Sequence, residues 1–371
     1  MHSRLNAALA AVVMAFTSVG AAFSAPPSYY PADYQTIIEG SKSEQGLLIY
    51  SNISVKAWDP ILKAFKAEYP WINVQTTDMR ANEVFERYYA DKSSGGATAD
   101  ILLAAAPQNW MEFLSKDDTL VYESPEKDKL PDWSKPAPGI YTVSADPFVI
   151  VWNKVLLPED EWPASMQDIA DLAAKHPEFA GKIGTYAPNA STYTQGIYWA
   201  TIKRNGEKAF DWFKVLGPVT EPYRGTGPVL EKITTGEYML GYFIVGLNLI
   251  PYVSNPASAS LMGWALPKDA ATFYMRNFAI SKETKSPNSA KLMADFLLSK
   301  AGQTQVGIGG LLPYREDVDD PAAFRLGGMS FAKMVEQVGE ENLIMIDFDP
   351  ELMTGIGPMA KRLDQLFKEP Q

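Results

Sequence analysis

Short apolar runs alternate with amphipathic stretches along this chain. Residues 46–50 form an uncharged, mainly apolar run, which is typical of a buried strand. The next segment predicts a helix that ends before Pro70, because its apolar residues recur at every third or fourth position and a residue preceding proline disfavours helical geometry. These apolar residues are Trp58, Ile61, Leu62, Phe65 and Tyr69.

The alternation of strands and helices continues through the middle of the chain. A short helix is predicted through Ile37 and Ile38. Further strands are predicted at 74–77, 100–104, 148–152, 182–186 and 238–243, and further helices at 81–92, 192–204 and 227–235. Such alternation favours a parallel sheet covered by helices. Because a chain of 371 residues is long enough for two units of this kind, we predict an α/β protein of two lobes.

The N-terminus has the pattern of a cleavable signal peptide. A short basic stretch ends at Arg4, an apolar run covers residues 5–16, and small residues follow. Ala22 and Ser24 occupy the positions where a signal peptidase requires small side chains, so we predict residues 1–24 as the signal peptide. The apolar run is shorter than the roughly 20 residues that a membrane span needs, so we expect the mature chain to be exported and soluble. Because the chain has no cysteine that could carry a lipid, we expect its destination to be the periplasm.

Composition narrows the possible partners. The chain has no cysteine, which excludes disulfides, thiolate metal sites and a lipid on an N-terminal cysteine. Its formal net charge of −11 argues against nucleic acid or an anionic membrane surface as the partner. An anionic ligand would therefore have to be bound by local positive groups.

Three polar loops precede predicted helices, at 51–54, 189–192 and 224–227. In parallel α/β sheets, ligands bind beyond the carboxyl ends of strands, where helix N-termini present free N–H groups and a partial positive charge. The candidate binding residues in these loops are Ser51, Asn52, Ser54, Ser191, Thr192, Arg224 and Thr226. Ser54, Ser191, Thr192 and Thr226 are also explained as ordinary helix N-caps, and Arg224 as half of a surface ion pair.

Eight aromatic residues could wall a pocket for an organic ligand, or could simply pack in the core. They are Tyr141, Trp152, Tyr193, Tyr198, Trp199, Trp264, Phe273 and Tyr274.

Catalytic motifs are missing from the sequence. His176 is the only histidine beyond the predicted signal peptide, and the sequence contains no zincin, nucleophile-elbow, phosphate-loop or dinucleotide motif. Paired carboxylates remain possible, because 44 acidic residues offer many pairs. We therefore expect a protein that binds without catalysis, with no cofactor and no metal, and we keep a secreted hydrolase as an alternative.

Several segments resemble ferric-type periplasmic binding proteins. Residues 46–51 with the helix ending at Pro70 resemble the opening of that family, and residues 148–153 resemble its crossover strand. The most specific likeness is at 291–303 and 312–318, which resemble the family's helix and its return to the second lobe.

The resemblance implies a type II periplasmic binding fold, in which two α/β lobes are joined by crossover strands and a ligand cleft lies between them. It implies an N-terminal lobe of residues 41–146 and 276–305 and a C-terminal lobe of residues 147–275 and 306–371. The implied partners are a small-molecule ligand and the permease subunits of an ABC importer, and we expect a monomer.

One departure from the family concerns its iron-binding tyrosine pair. The corresponding positions here are Gly246 and Leu247, and the pair Tyr88 and Tyr89 lies on a predicted helix far from that turn. Relatives without the pair bind phosphorylated sugars, phosphonates or other small organic anions, so we expect such a ligand and keep ferric ion with atypical ligands as an alternative.

By the same resemblance, Asn248 and Tyr141 join the candidate site. Asn248 is placed by its likeness to the tyrosine turn, and Tyr141 by its nearness to the crossover.

Overall fold

The computed structural model describes residues 26–346 and 348–371, so the predicted signal peptide lies outside the described residues. The strands are β1 (Leu47–Ser51), β2 (Val74–Thr76), β3 (Ile101–Ala104), β4 (Ile140–Asn153), β5 (Ile183–Tyr186), β6 (Thr220–Tyr223), β7 (Leu240–Val245), β8 (Met262–Ala265), β9 (Ala271–Ile280) and β10 (Leu343–Ile346). The helices are α1 (Tyr34–Ser41), α2 (Val55–Glu68), α3 (Ala81–Ser93), α4 (Pro107–Ser115), α5 (Met166–Lys175), α6 (Thr192–Asn205), α7 (Glu207–Leu216), α8 (Gly227–Thr235), α9 (Gly246–Val253), α10 (Pro256–Leu261), α11 (Pro287–Leu298), α12 (Lys300–Ile308), α13 (Phe331–Val338) and α14 (Pro350–Asp364).

The strands and helices predicted from the apolar pattern are confirmed in type and place. The main difference is β4, which begins at Ile140 and not near residue 148. All of its residues are buried, although residues 141–146 alternate between apolar and polar side chains, a strand pattern that the prediction did not use. The pattern also gave no strand for β6, β8, β9 or β10.

One curved sheet connects two α/β halves, in the order β2-β1-β3-β9-β4-β7-β5-β6. β1 pairs in parallel with β2 and β3, and β5 pairs in parallel with β6 and β7, as the alternation of strands and helices predicts. Pro222 lies in β6, where a residue without an N–H is tolerated because this strand ends the path.

Two long strands run between the halves. In β4, residues 140–147 pair antiparallel with β9, and residues 148–153 pair with β7 and β8. β9 pairs with β3 through residues 277–280 and with β10 through residues 271–274. Each strand is therefore shared by the two halves.

A third connection runs beside β4. The backbone N–H of Ala145 donates to the carbonyl oxygen of Leu312 at 3.2 Å, and the N–H of Leu312 donates to the carboxylate of Asp146 at 3.2 Å. The hydroxyl of Tyr314 donates to the carbonyl oxygen of Thr142 at 2.6 Å.

Each half has its own apolar core. Trp58, Ile61 and Phe65 of α2 pack with β1, β3 and α11 in the first half. Trp212 and Phe213 of α7 pack with α5, α6 and β7 in the second half. In the described part of the chain, no helix has the length and apolar character that a membrane span requires.

Candidate ligand cleft

A cavity of about 330 Å³ lies between the two halves of the molecule. The first half contributes Asn52 and residues 79–82, and the second half contributes Tyr186, Arg224 and residues 190–193. Arg276, on the shared strand β9, completes the lining. The cavity therefore draws on both halves and on a strand that connects them.

The parallel strands explain why these residues meet. Asn52 directly follows β1, Arg224 directly follows β6, and residues 187–191 connect β5 to α6. Ligand sites in such sheets form at the carboxyl ends of the strands. Four of the predicted site residues, Asn52, Ser191, Thr192 and Arg224, lie together in the lining for this reason.

Arg276 links the cavity to the strands between the halves. Its Nη2 donates to the Asp146 carboxylate at 3.0 Å, its Nε donates to the same oxygen at 3.3 Å, and its Nη1 donates to the carbonyl and side-chain oxygens of Asn52, the carbonyl at 3.1 Å. The side chains of Arg276 and Asp146 are 7% and 1% exposed. Arg276 therefore fixes Asn52, while the ion pair that it forms with Asp146 has little net charge.

Arg224 has a different environment. It is exposed, and among the described residues no carboxylate forms an ion pair with its guanidinium. Arg80, on the opposite side of the cavity, pairs with Glu83 at 2.8 Å and is 83% exposed. The uncompensated positive charge in this lining therefore lies on Arg224.

The start of α6 supplies further donors. Ser191 caps the helix, because its hydroxyl accepts from the Thr194 N–H at 3.3 Å and its own N–H donates to the Thr194 hydroxyl at 3.1 Å. The backbone N–H groups of Thr192 and Tyr193 donate no hydrogen bond within the described residues. Such free N–H groups at a helix N-terminus are suited to an anion.

Two tyrosines form the aromatic part of the lining. The ring of Tyr193 stacks on that of Tyr274, with centroids 4.2 Å apart, and lies 6.0 Å from the ring of Tyr186. Burial raises the pKa of both Tyr186 and Tyr193 above the usual value of a phenol. Both tyrosines therefore present neutral hydroxyls to the cavity.

Two of the predicted site residues, Ser51 and Ser54, form hydrogen bonds inside the first half. The hydroxyl of Ser51 donates to the Thr77 carbonyl oxygen at 2.7 Å and accepts from the indole N–H of Trp58 at 2.9 Å. The Ser54 hydroxyl caps α2 by accepting from the Ala57 N–H at 3.3 Å.

Tyr141 is buried as well. Its hydroxyl donates to the Tyr122 carbonyl oxygen at 2.9 Å and accepts from the Ser124 N–H at 3.0 Å. These bonds occupy the polar atoms that a ligand would need.

Thr226 and Asn248 bind each other behind the Arg224 loop. The Asn248 amide donates to the Thr226 hydroxyl at 2.8 Å, and Thr226 is 1% exposed. Neither residue belongs to the lining of the cavity.

The sequence analysis missed Arg276, Arg80 and Tyr186. Arg276 lies on β9, a strand that the pattern did not predict. Arg80 and Tyr186 could have been found, because Arg80 immediately precedes the predicted helix at 81–92 and Tyr186 ends the predicted strand at 182–186. Of the eight aromatic candidates, Tyr193 alone belongs to the cavity lining, and most of the others are core residues.

The remaining candidate groups lie elsewhere. Hydrogen bonds to Glu161 and Glu178, both at 3.0 Å, raise the pKa of His176 at the end of α5. Tyr88 and Tyr89 lie on α3, as predicted. Within residues 26–346 and 348–371, no cluster of three or more histidine, aspartate or glutamate side chains could hold a metal ion.

A larger cavity of about 850 Å³ lies beside α1. The Tyr29 and Tyr30 hydroxyls donate to Glu126 at 2.8 and 2.7 Å, and the Tyr34 hydroxyl donates to Asp295 at 2.7 Å. These three tyrosine hydroxyls are thus bound within the protein, and the cavity does not lie between the two halves.

Residues 61–326 match the family model of bacterial extracellular solute-binding proteins. This match covers more than half of the chain, so the protein belongs to that family. None of the curated proteins matches the chain.

Solved structures with a similar fold include substrate-binding proteins of transporters. The substrate-binding protein of an ABC transporter from Agrobacterium tumefaciens has a TM-score of 0.72 and 20% identity, over 87% of this chain and 95% of that one. The periplasmic binding protein AfuA from Actinobacillus pleuropneumoniae, with fructose 6-phosphate bound, has a TM-score of 0.64 and 20% identity, over 86% and 96%. Iron-bound HitA from Pseudomonas aeruginosa has a TM-score of 0.66 and 18% identity, over 85% and 99%.

These likenesses confirm the predicted fold class. The protein has the type II periplasmic binding fold, with two α/β lobes joined by crossover strands. The first half described above is its first lobe and the second half is its second lobe.

Proposed function

We propose that this protein is the periplasmic solute-binding component of an ABC importer and that it captures a small organic anion between its lobes. A phosphorylated sugar, a phosphonate or a carboxylate fits the proposal. Membership of an extracellular solute-binding family and the predicted signal peptide at residues 1–24 support export. The structural neighbour from Agrobacterium tumefaciens supports the association with an importer.

The observation that carries the anion proposal is the charge of the cleft. The protein has a formal net charge of −11, yet the cavity lining contains no aspartate or glutamate and carries the guanidinium of Arg224, which has no ion-pair partner among the described residues. Arg80 and Arg276 also lie in the lining, but they pair with Glu83 and Asp146. Positive charge in the cleft of an otherwise acidic protein attracts an anionic ligand to the cleft.

We assign the residues of the cavity different roles. Arg224 supplies the charged hydrogen bonds, while Ser191, Thr192 and the free N–H groups of α6 hold the remaining anionic oxygens. Asn52 offers an amide from the first lobe. Closure of the lobes would exclude water and strengthen each of these contacts.

Ferric ion with atypical ligands remains the alternative cargo, because the structural neighbours include both an iron-bound protein and a sugar phosphate complex. The oxygen ligands in this cavity would be the phenols of Tyr186 and Tyr193. Burial raises both pKa values and so disfavours the phenolates that would bind iron tightly, which supports the organic anion.

A hydrolase on this scaffold would need a catalytic acid, base or nucleophile in the cleft. The lining contains no histidine or carboxylate, which supports binding without turnover. The assignment as a binding protein is tested by analysing the ligand for chemical change after release.

The direct test is isothermal titration of the mature protein with fructose 6-phosphate, glucose 6-phosphate, citrate and ferric citrate. We expect a phosphate ester or carboxylate to bind, and Arg224→Ala to weaken this binding by about 1.5 to 3 kcal/mol, the contribution of a charged hydrogen bond. Arg224→Lys should restore part of the affinity, because it keeps the charge but loses the planar fork.

Arg87→Ala serves as the matched control, since Arg87 is an exposed α3 residue that pairs with Asp91 and is not part of the cavity lining. Equal affinities of Arg224→Ala and wild type would overturn the role of Arg224. Binding of iron in place of every organic anion would overturn the proposed ligand class.

A further inference from the structure

The last part of the chain lies against the loops that form the second-lobe side of the cleft. We call residues 348–371 the C-terminal segment; it contains α14 and the residues that follow. Phe348 packs on the first-lobe core around Trp110, and Phe367 packs on Tyr198 and Phe213 in the second lobe. The segment thus contacts both lobes.

The C-terminal segment makes its first contact with a cleft loop, the one between β5 and α6, through Asn189. The side-chain amide of Asn189 donates to the carboxylate of Asp364 and, at 3.4 Å, to the carbonyl oxygen of Ala360. Asn189 lies two residues before Ser191, in the loop between β5 and α6. This bond therefore holds the loop that carries Ser191 and Thr192.

The second contact is through the backbone of Gln371. The Gln371 N–H donates to the Pro222 carbonyl oxygen at 2.9 Å, and the Arg224 N–H donates to the Gln371 backbone oxygen at 3.1 Å. Gln371 therefore pairs with β6 on its open side, directly at the residue whose guanidinium faces the cleft.

The side chains around this pairing reinforce it. Glu221 accepts from the Gln371 amide at 3.0 Å and from the Lys368 ammonium at 2.5 Å. Both loops that supply the second-lobe donors are consequently anchored to one continuous stretch of the chain, which itself lines no part of the cavity.

We propose that the C-terminal segment positions the two anion-binding loops of the second lobe and that Asp364 and Gln371 are its positioning residues. The inference rests on the proposed function for its effect on affinity. Neither residue contacts the ligand. Each fixes the backbone of a loop, so that Arg224 and the start of α6 present their donors in one geometry before the ligand arrives.

Two variants separate the two anchors. Asp364→Ala removes the acceptor for Asn189, and deletion of residues 369–371 removes the pairing with β6. For each variant we would measure amide hydrogen exchange in peptides covering residues 187–194 and 222–228, affinity for fructose 6-phosphate and for inorganic phosphate, and thermal stability without ligand.

We expect exchange to become about tenfold faster in the loop that loses its anchor and to stay unchanged in the other loop. Affinity for the probe that wild type binds should fall about threefold to tenfold, which corresponds to the net contribution of one typical hydrogen bond, because the loop that lost its anchor must then be ordered when the ligand binds. The melting temperature should change little, because the removed contacts are at the surface.

Arg362→Ala is the matched control. Arg362 lies on the same helix, but its ion-pair partner is Glu207 on α7, which belongs to neither of the two cleft loops. We expect this variant to leave loop exchange and affinity unchanged, even if it lowers the melting temperature more than Asp364→Ala does.

The exchange and affinity measurements distinguish the two proposals. Faster loop exchange in a protein that binds no anion even as wild type would support the anchoring and overturn the proposed function. Unchanged exchange in both loops, or faster exchange with undiminished affinity, would overturn the positioning role.

Discussion

The two lobes differ in how far the polar groups of their loops are already bonded inside the protein. In the first lobe, the hydroxyl of Ser51 is hydrogen-bonded to Thr77 and Trp58, and the hydroxyl of Ser54 caps α2. In the second lobe, the guanidinium of Arg224 and the backbone N–H groups of Thr192 and Tyr193 have no partner among the described residues. Similar loops at corresponding strand ends therefore differ in their bonding: in the first lobe these hydroxyls are bonded inside the protein, and in the second lobe several donors are not.

This difference shows that a polar loop before a helix is not in itself a binding site. Such a loop can bind a ligand only if some of its polar groups are not already hydrogen-bonded inside the protein. The comparison leads to four predictions, which concern first the stability of the first lobe and its connections and then the affinity of the second lobe.

The largest effect should come from Arg276→Ala. It leaves the Asp146 carboxylate buried without its counter-charge, which costs about 3 to 5 kcal/mol of unfolding free energy. Urea denaturation measures this loss. Arg362→Ala, which removes an exposed pair, should cost less than about 1 kcal/mol, and equal losses in the two variants would contradict the prediction.

Asp295 should make stability depend on pH. Burial raises its pKa to about 6, although Ser124, Tyr34 and Tyr122 donate hydroxyls to it. The folded protein therefore holds this proton more tightly than the unfolded chain, in which the pKa is about 3.9.

The resulting stabilisation is full below about pH 4 and is lost as pH rises through about 6, a loss of roughly 3 kcal/mol at most. Urea midpoints between pH 4 and pH 7 test this against Asp295→Asn, which should lack this component of the slope. Identical slopes would contradict the assignment.

Ser54→Ala should lower stability by about 1 kcal/mol through loss of the α2 cap, without changing ligand affinity. Thermal denaturation and titration of the same sample measure both quantities. A marked loss of affinity at unchanged stability would place Ser54 in the site and break the contrast between the lobes.

The smallest effect should come from Thr192→Val in the second lobe. We expect affinity to fall about threefold to tenfold, as for one hydrogen bond, with little change in stability because the Thr192 hydroxyl has no partner within the described residues. Titration with the same probe measures it, and unchanged affinity would remove this hydroxyl from the site.

The sequence predicted the parallel part of the fold well. The strands β1, β3 and β5 are short apolar runs between helices of clear periodicity, so the carboxyl-end loops with Asn52 and Ser191 could be located from the pattern alone. The loop with Arg224 was located from the helix that follows it, because β6 was not predicted. The two-lobe arrangement followed from the same alternation together with the family resemblance.

The long shared strands could not be predicted in the same way. β9 carries Arg276 and Asn277 in the middle of buried apolar residues, and these polar side chains obscure its strand pattern. Their burial is explained only by partners distant in sequence, namely Asp146 and Thr142. A sequence read locally cannot reveal such pairs, and Arg276 was missed for that reason.

The contacts of β4 have a mechanical consequence. Its pairing changes register between Thr142 and Ser144 and again between Val149 and Val151, while Asp146, between these two points, binds β9 and the backbone of Leu312. A bulge leaves one residue unpaired, bends the strand and increases its local twist. We expect the backbone to flex at two joints on either side of a stiff centre, so that the lobes rotate about that centre without stretching it.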